Sequence, residues 1–364
     1  MRPSFSLNLN NMDASENSQK SLAQTLPKKS KFILAFMAVC GLVTFVLGLI
    51  IALYAFANYR YESVPSGEAQ EIVFDVPKGS GLSRIAAKLE AEGAIKSATI
   101  FKLVTKLRGN ESAFKAGEFA LTLPASMNDI YTVLSEGKAI LYPITIPEGR
   151  TSAQIIRQLG DYTWMTAEDV TVPAEGTLLP ETYLLPRNMG YSDIIVRMHK
   201  AQTEVIDRLW ETRAEGLPIK TKQEAIILAS VVEKETGIDG ERDRVASVFI
   251  NRLNRGMRLQ SDPTIIYGIS KGEILRNKAG EQRGIFRSEI DRKTDWNTYQ
   301  IDGLPKTPIC NPGEAAIAAV LNPATTDDLF FVADGTGGHI FAKTLAEHNR
   351  NVRKWREIER QRKR

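Results

Sequence analysis

From Phe32 to Tyr59 the chain reads FILAFMAVCGLVTFVLGLIIALYAFANY, with no charged side chain. A helix needs about 20 such residues to cross a bilayer, so 32–59 is expected to be a transmembrane helix. Residues 1–31 carry Arg2, Lys20, Lys28, Lys29 and Lys31 against Asp13 and Glu16. Past the run, Arg60 meets Glu62, Glu68, Glu71 and Asp75. Positive flanks stay inside, which puts the N-terminus in the cytoplasm and everything beyond 60 outside. The rival is a cleaved signal peptide, because AFA at 55–57 has the small residues of a cleavage site. Signal cores span only about 7–15 apolar residues, so the length favours an uncleaved anchor. The Ser-, Asn- and Gln-rich tail 1–31 has too few apolar residues to pack and is expected to be disordered.

After a linker at 60–72, VFDVPKGSGLSRIAAKL (73–89) alternates and then changes to a helical period, predicting strand, turn and amphipathic helix. The phrase returns as ITIPEGRTSAQIIRQL at 144–159. In both, Pro precedes Gly by one spacer, and an isoleucine and a leucine follow at matching distances (Ile85 and Leu89; Ile155 and Leu159). A looser echo, LTLPASMNDIYTVL, lies at 121–134. This β-turn-α phrasing is similar to small wall-binding LysM modules, so 73–160 is expected to be a LysM-like subdomain. A generic α/β unit reusing one local motif fits the pattern equally.

Prolines interrupt EGTLLPETYLLP (175–186), and helical periodicity then dominates Ser192–Ala214, Thr221–Thr236 and Glu241–Leu253. Alternating strands around a Gly-rich turn in DLFFVADGTGGHIFA (328–342) predict a β-hairpin. The sequence thus reads as α+β: one N-terminal transmembrane helix, the LysM-like part, and a mainly helical domain over 161–350 with a hairpin near its end. Residues 351–364 form a basic helix end, whose positive charge suits a helix C-terminus but also anionic lipid or wall polymer.

A formal charge of +4 over 364 residues gives no reason to expect a nucleic-acid partner. Two distant cysteines, Cys40 and Cys310, make a disulfide framework improbable, and three histidines without ligand spacing point away from a metal site. No cofactor is expected. Cys310 as a nucleophile has no histidine placed by sequence to activate it, and a packed thiol is the simpler reading.

The candidate chemistry centres on ILASVVEKETG (227–237). On a helix Glu233 stacks over Ile226, Ala229 and Ser230, and burial among apolar groups raises a carboxyl's pKa. A neutral carboxyl near pH 7 is what a general acid requires. The alternative pairs Glu233 with Arg242 or Arg244 as a buried bridge; spacing leaves both open. Lys234 and Glu235 read as a solvated helix end. In LQSDPTIIYG (259–268) Asp262 looks like the cap of a helix opening at Pro263. In WNTYQIDGLP (296–305) the amide and aromatic groups suit sugar hydroxyls and pyranose faces.

Taken in order, ILASVVEKET, ERDRVASVFINRLNRGMRLQSDPTIIYG, NTYQIDGLP, CNPG, FFVADGTGGHIF and HN resemble the endolytic murein transglycosylase family (MltG/YceG-like) over roughly 70–350. Two departures are local: GLPKTPI at 303–309 replaces a Pro-Gly, and LPETY at 179–183 has a longer acid than the family's usual phrase. The resemblance implies a single-pass enzyme of the bacterial inner membrane whose outer domain cuts peptidoglycan strands internally. It puts the catalytic acid on Glu233. It puts the glycan-binding cleft on Gln260, Ser261, Asp262, Thr264, Tyr267, Asn297 and Tyr299, and peptidoglycan synthases among candidate partners. Most glycosidases need two carboxylates. A lytic transglycosylase is expected to use one, closing the muramic C6 hydroxyl onto C1 as a 1,6-anhydro ring. A non-catalytic wall-binding module and a hydrolytic muramidase, with Asp262 or Glu181 as second carboxylate, are the competing functions.

Overall fold

The structure, a computed structural model, describes residues 28–58, 69–108, 114–237 and 240–362. Most of the expected tail and linker lie outside these. Helix α1 (Lys28–Asn58) contains the apolar span Phe32–Ala55, whose side chains are almost all exposed. A run of this length and composition is long and apolar enough to cross a membrane.

The described residues fall into two compact units divided between Lys138 and Ala139, with α1 in the first. In the first, β1 (Gln70–Val76) pairs antiparallel with β2 (Gly117–Leu123), Gln70 opposite Leu123 and Val76 opposite Gly117. Alternation sends Phe74, Val76, Phe119 and Leu121 to one dry face. Helices α2 (Leu82–Ala91), α3 (Ala98–Leu107) and α4 (Met127–Glu136) complete this unit. In α2, Leu82, Ile85, Ala86 and Leu89 form the buried stripe that the 3.6-residue period requires.

The second unit starts with β3 (Tyr142–Thr145), which pairs antiparallel with β4 (Thr182–Leu185). Between them α5 (Ser152–Leu159) is started by a reciprocal cap of Thr151 and Gln154. Here the break between units departs from the expected boundary at 160. The strand of the 144–159 phrase finds its partner at 182–185, and Ile144, Ile155 and Leu159 share a core with Leu178, Leu185, Ile194 and Met198. That phrase therefore belongs structurally with the helical domain.

The helical core follows. Helices α6 (Tyr191–Glu211), α7 (Lys222–Glu235), α8 (Arg242–Asn254), α9 (Asp262–Ser270) and the short α10 (Arg287–Ile290) precede α11 (Glu314–Leu321). Strands β5 (Phe330–Ala333) and β6 (His339–Ala342) pair antiparallel before α12 (Leu345–Arg362). Every residue of α7 from Ala225 to Glu233 is buried, chiefly against α8 and α11 residues such as Val245, Phe249, Ile317 and Val320. Each fully buried Val, Leu or Ile there contributes roughly 1.5–3 kcal/mol. Packing on all sides, together with the Thr221–Glu224 capping box at its start, fixes this helix rigidly. Its last turn carries the acids at issue.

Candidate active site

Residues two apart on a helix point in nearly opposite directions, so Glu233 and Glu235 must occupy different surroundings. Glu233 is buried with two partners. One oxygen accepts the Gly313 N–H at 2.9 Å, and the other lies 3.5 Å from Arg242 Nη2. The same guanidinium nitrogen holds Glu148 at 3.1 Å. Burial pushes the Glu233 carboxyl above its usual range, while Gly313 and Arg242 draw it back and Glu148 adds to the rise. This is the buried bridge to Arg242 that spacing left open. It ties α7 to the 146–149 loop and to the start of α11.

Glu235 was expected to be solvated, and the structure corrects this. Its Oε1 accepts the Ser261 hydroxyl at 2.6 Å. Burial dominates its titration, Asp262 adds to the rise, and the Ser261 bond only partly offsets it, leaving the carboxyl at about 7. Glu235 lines a cavity of about 410 Å³ with Gln260, Asp262, Tyr299, Arg252, His348 and Asn349. Glu233 lines neither this cavity nor the one beside it.

The floor of the cavity is set by a threonine relay. Ser261 N–H donates to Thr298 Oγ1 at 3.0 Å, the Thr298 and Thr264 hydroxyls meet at 2.9 Å, and Thr264 donates to Ser261 O at 2.6 Å. Gln260 N–H donates to Thr298 O while Gln260 sits in the left-handed region at φ 51°. Such backbone is costly for a residue with a Cβ, and it holds the Gln260 side chain at the cavity. Ser261 is the N-cap of α9 by position, with its hydroxyl spent on Glu235 rather than on the helix. Asp262 is therefore not the cap; it begins the helix, and its Oδ1 accepts the Tyr299 hydroxyl at 2.7 Å.

On the far wall Arg252 is buried, giving Nε to Leu329 O and Nη1 to Leu259 O. Its guanidinium lies over the Phe330 ring, on which His348 also stacks at 5.2 Å. Burial and the Arg252 charge lower the His348 pKa, so its ring is neutral at pH 7.

Of the expected cleft residues, Gln260, Asp262 and Tyr299 line this cavity and Ser261 touches its acid. Three others do not. Asn297 is buried with its amide nitrogen shared among the Glu289, Ile290 and Arg292 carbonyls and its oxygen on Tyr299 N–H. It latches a loop. Thr264 is fully buried in the relay. Tyr267 faces a neighbouring cavity, edge-on to Trp296 at 5.5 Å and hydrogen-bonded to Glu175. Arg252, His348, Asn349 and Thr298 were not singled out, although the HN phrase held two of them. Cys310 is fully buried, its thiol directed to Ser230 O at 3.4 Å, and burial pushes its pKa well up.

This arrangement, one secluded titratable acid facing a polar cavity, occurs within a stretch that known proteins share. The YceG-like family model matches residues 74–354. The chain belongs to the YceG-like family. Among YceG-like relatives, the endolytic murein transglycosylase of Bacillus subtilis (strain 168) is 28% identical over 336 residues, covering 83% of this chain and 89% of that protein. The endolytic murein transglycosylase of Streptococcus pneumoniae (strain D39) is 28% identical over 333 residues; the match spans 79% of this chain and 59% of the longer relative. The 2.6 Å crystal structure of a yceG-like protein from Listeria monocytogenes is 28% identical, covering 78% of this chain and 99% of that one at a TM-score of 0.45.

Proposed function

We infer that this chain is a lytic transglycosylase acting within peptidoglycan strands, with Glu235 rather than Glu233 as its acid and base. The observation that carries the assignment is the placement of Glu235, held by the Ser261 hydroxyl and facing a cavity of polar groups, where burial raises its carboxyl to about 7. An acid titrating near the working pH both gives and takes a proton efficiently. Glu233 has its oxygens committed to Gly313 and Arg242.

Protonated Glu235 gives its proton to the glycosidic oxygen between N-acetylmuramic acid and N-acetylglucosamine. The C1–O bond breaks, and the N-acetyl group shares the positive charge developing at C1. The C6 hydroxyl of the same muramic ring then closes on C1 and passes its proton to the Glu235 carboxylate. That restores the acid, forms the 1,6-anhydro ring and consumes no water. Intramolecular closure supplies up to about 7–11 kcal/mol of the barrier through proximity, so a second carboxylate is unnecessary. Gln260 and Asn349 supply amides for sugar hydroxyls, and the Tyr299–Asp262 pair fixes the wall at α9. Helix α1 anchors the chain in the bacterial inner membrane with its N-terminus in the cytoplasm, and the segment 73–138 contributes a LysM-like wall contact.

The test is product identity. Full-length protein in detergent with purified peptidoglycan is expected to release fragments ending in anhydromuramic acid, read by mass spectrometry. Asp262 shares the cavity with Glu235, so reducing muramic ends instead would make it the second carboxylate of a muramidase. No cleavage would leave a wall-binding module.

A further inference from the structure

Beside the acid's cavity lies a second one of about 580 Å³, and Asp262 lines both. Their chemistry differs. The acid's cavity offers amides, a carboxylate, a phenol and a guanidinium. The second is walled by Pro263, Ile266, Ile274, Ile285 and Ile290, with Lys234 at its edge. Its one aromatic ring, Tyr267, is buried and has the Lys271 ammonium over its face at 5.1 Å, so it offers a pyranose little to stack on. Sugar rings carry hydroxyls all round and match polar walls; branched aliphatic walls match methyl groups.

The wall is built and held in place. Arg283 grips Glu289 through two hydrogen bonds of 2.8 and 2.7 Å. Arg276 and Gln282 form a β-bridge, and Arg283 N–H donates to Leu275 O. At the base of the excursion Gln154 Nε2 donates to Gly272 O at 3.1 Å. Gly272 has φ +84°, and a Cβ there would lie 2.6 Å from the Thr151 methyl. A pocket pinned at this many points has its ordering cost met on folding rather than on binding.

Lys234 follows from the helix. It precedes Glu235 on the last turn of α7, and the two neighbours point into different cavities. Its ammonium is exposed, with a long 3.3 Å bond to Gly149 O, so it remains able to meet an incoming carboxylate. Resting on the proposed transglycosylase reading, we propose that this second cavity receives the peptide carried on the muramic lactyl ether, its alanine methyls against the isoleucine wall and a carboxylate on Lys234. The lactyl group hangs from C3 of the very ring whose C1 reacts. A peptide site sharing a wall with the acid's cavity is therefore within reach.

The experiment uses full-length protein in detergent and two substrates: uncross-linked glycan strands bearing their peptides, and the same strands stripped by an amidase. Wild type is expected to show about tenfold higher kcat/KM on peptide-bearing strands. Ile285→Asn is expected to lose that preference, chiefly through KM, while its rate on stripped strands stays at the wild-type level and so reports an intact fold. Lys234→Gln is expected to lose part of it. Equal wild-type rates on the two substrates, or equal falls on both in Ile285→Asn, would overturn the assignment. Calorimetry with an anhydro-disaccharide with and without its peptide separates this from the catalytic reading. Peptide-dependent binding lost in Ile285→Asn supports the cavity's role even if no strand is cut, and binding indifferent to the peptide refutes it even if strands are cut.

Discussion

Replacing Glu235 by Gln is expected to cut turnover by roughly 10²–10⁴-fold and, at the same time, to stabilise the protein above neutral pH. The acid's carboxyl is raised from 4.5 to about 7 in the folded chain, and each pH unit between those two values is worth about 1.4 kcal/mol. Below the unfolded value both states hold the proton and there is no penalty. As pH rises from 4.5 to about 7 the unfolded chain ionises and the folded chain does not, so stability is lost across that window and the loss is complete above it. The whole interval corresponds to roughly 3 kcal/mol; partial exposure of Glu235 reduces this to about 2–3 kcal/mol. Gln keeps the bond from Ser261 and never ionises. At about 2–4 °C per kcal/mol for a domain of this size, the variant should melt roughly 4–12 °C above wild type at pH 8 and level with it at pH 4. Calorimetric scans of both proteins at the two pH values decide the matter. An equal offset at both pH values, or a variant less stable at pH 8, would refute the reasoning that burial holds this acid near neutrality.

Three further outcomes follow from the site. Ser261→Ala removes a hydrogen bond that favours the Glu235 carboxylate, so the alkaline limb of the pH–rate profile should move to higher pH; an unchanged limb would mean that the Ser261 bond does not act on the catalytic titration. Gln260→Gly relieves a left-handed backbone worth about 1 kcal/mol while removing a cavity amide, so thermal stability should hold or rise and kcat/KM should fall. Asn297→Ala removes the amide's bonds to the part-buried Glu289, Ile290 and Arg292 carbonyls and to the Tyr299 N–H, although Ile290 O keeps Gln300 Nε2; a destabilisation of about 1–3 kcal/mol by denaturant titration is expected, with KM rising because Tyr299 loses its support.

Much of the catalytic domain was legible from periodicity. The three long helices were read to within a few residues of their ends, because recurring apolar positions are a local signal, whereas the cap assigned to Asp262 belongs by position to Ser261. The choice between the two acids was not legible. Glu233 has the drier sequence neighbours, and Glu235 follows a lysine at a helix end, which reads as solvent. What secludes Glu235 is supplied by chain far away, the 259–262 turn and Thr298, and their approach is a tertiary event. Asn297 failed for a different reason. An amide suited to sugar hydroxyls is equally suited to backbone carbonyls, and residue type alone cannot separate the two. The break at 138 was hidden because the 144–159 phrase looks like the one at 73–89 but pairs its strand with 182–185.

The assignment of the acid is tested most directly by setting Glu233→Gln beside Glu235→Gln on the same purified peptidoglycan and counting anhydromuramic ends. Gln at 233 can still accept the Gly313 N–H, so that variant should keep activity within about tenfold of wild type. Gln at 235 should lose the roughly 10²–10⁴-fold that a general acid supplies. The reverse pattern, with the variant at 233 silent and the variant at 235 active, would contradict the account.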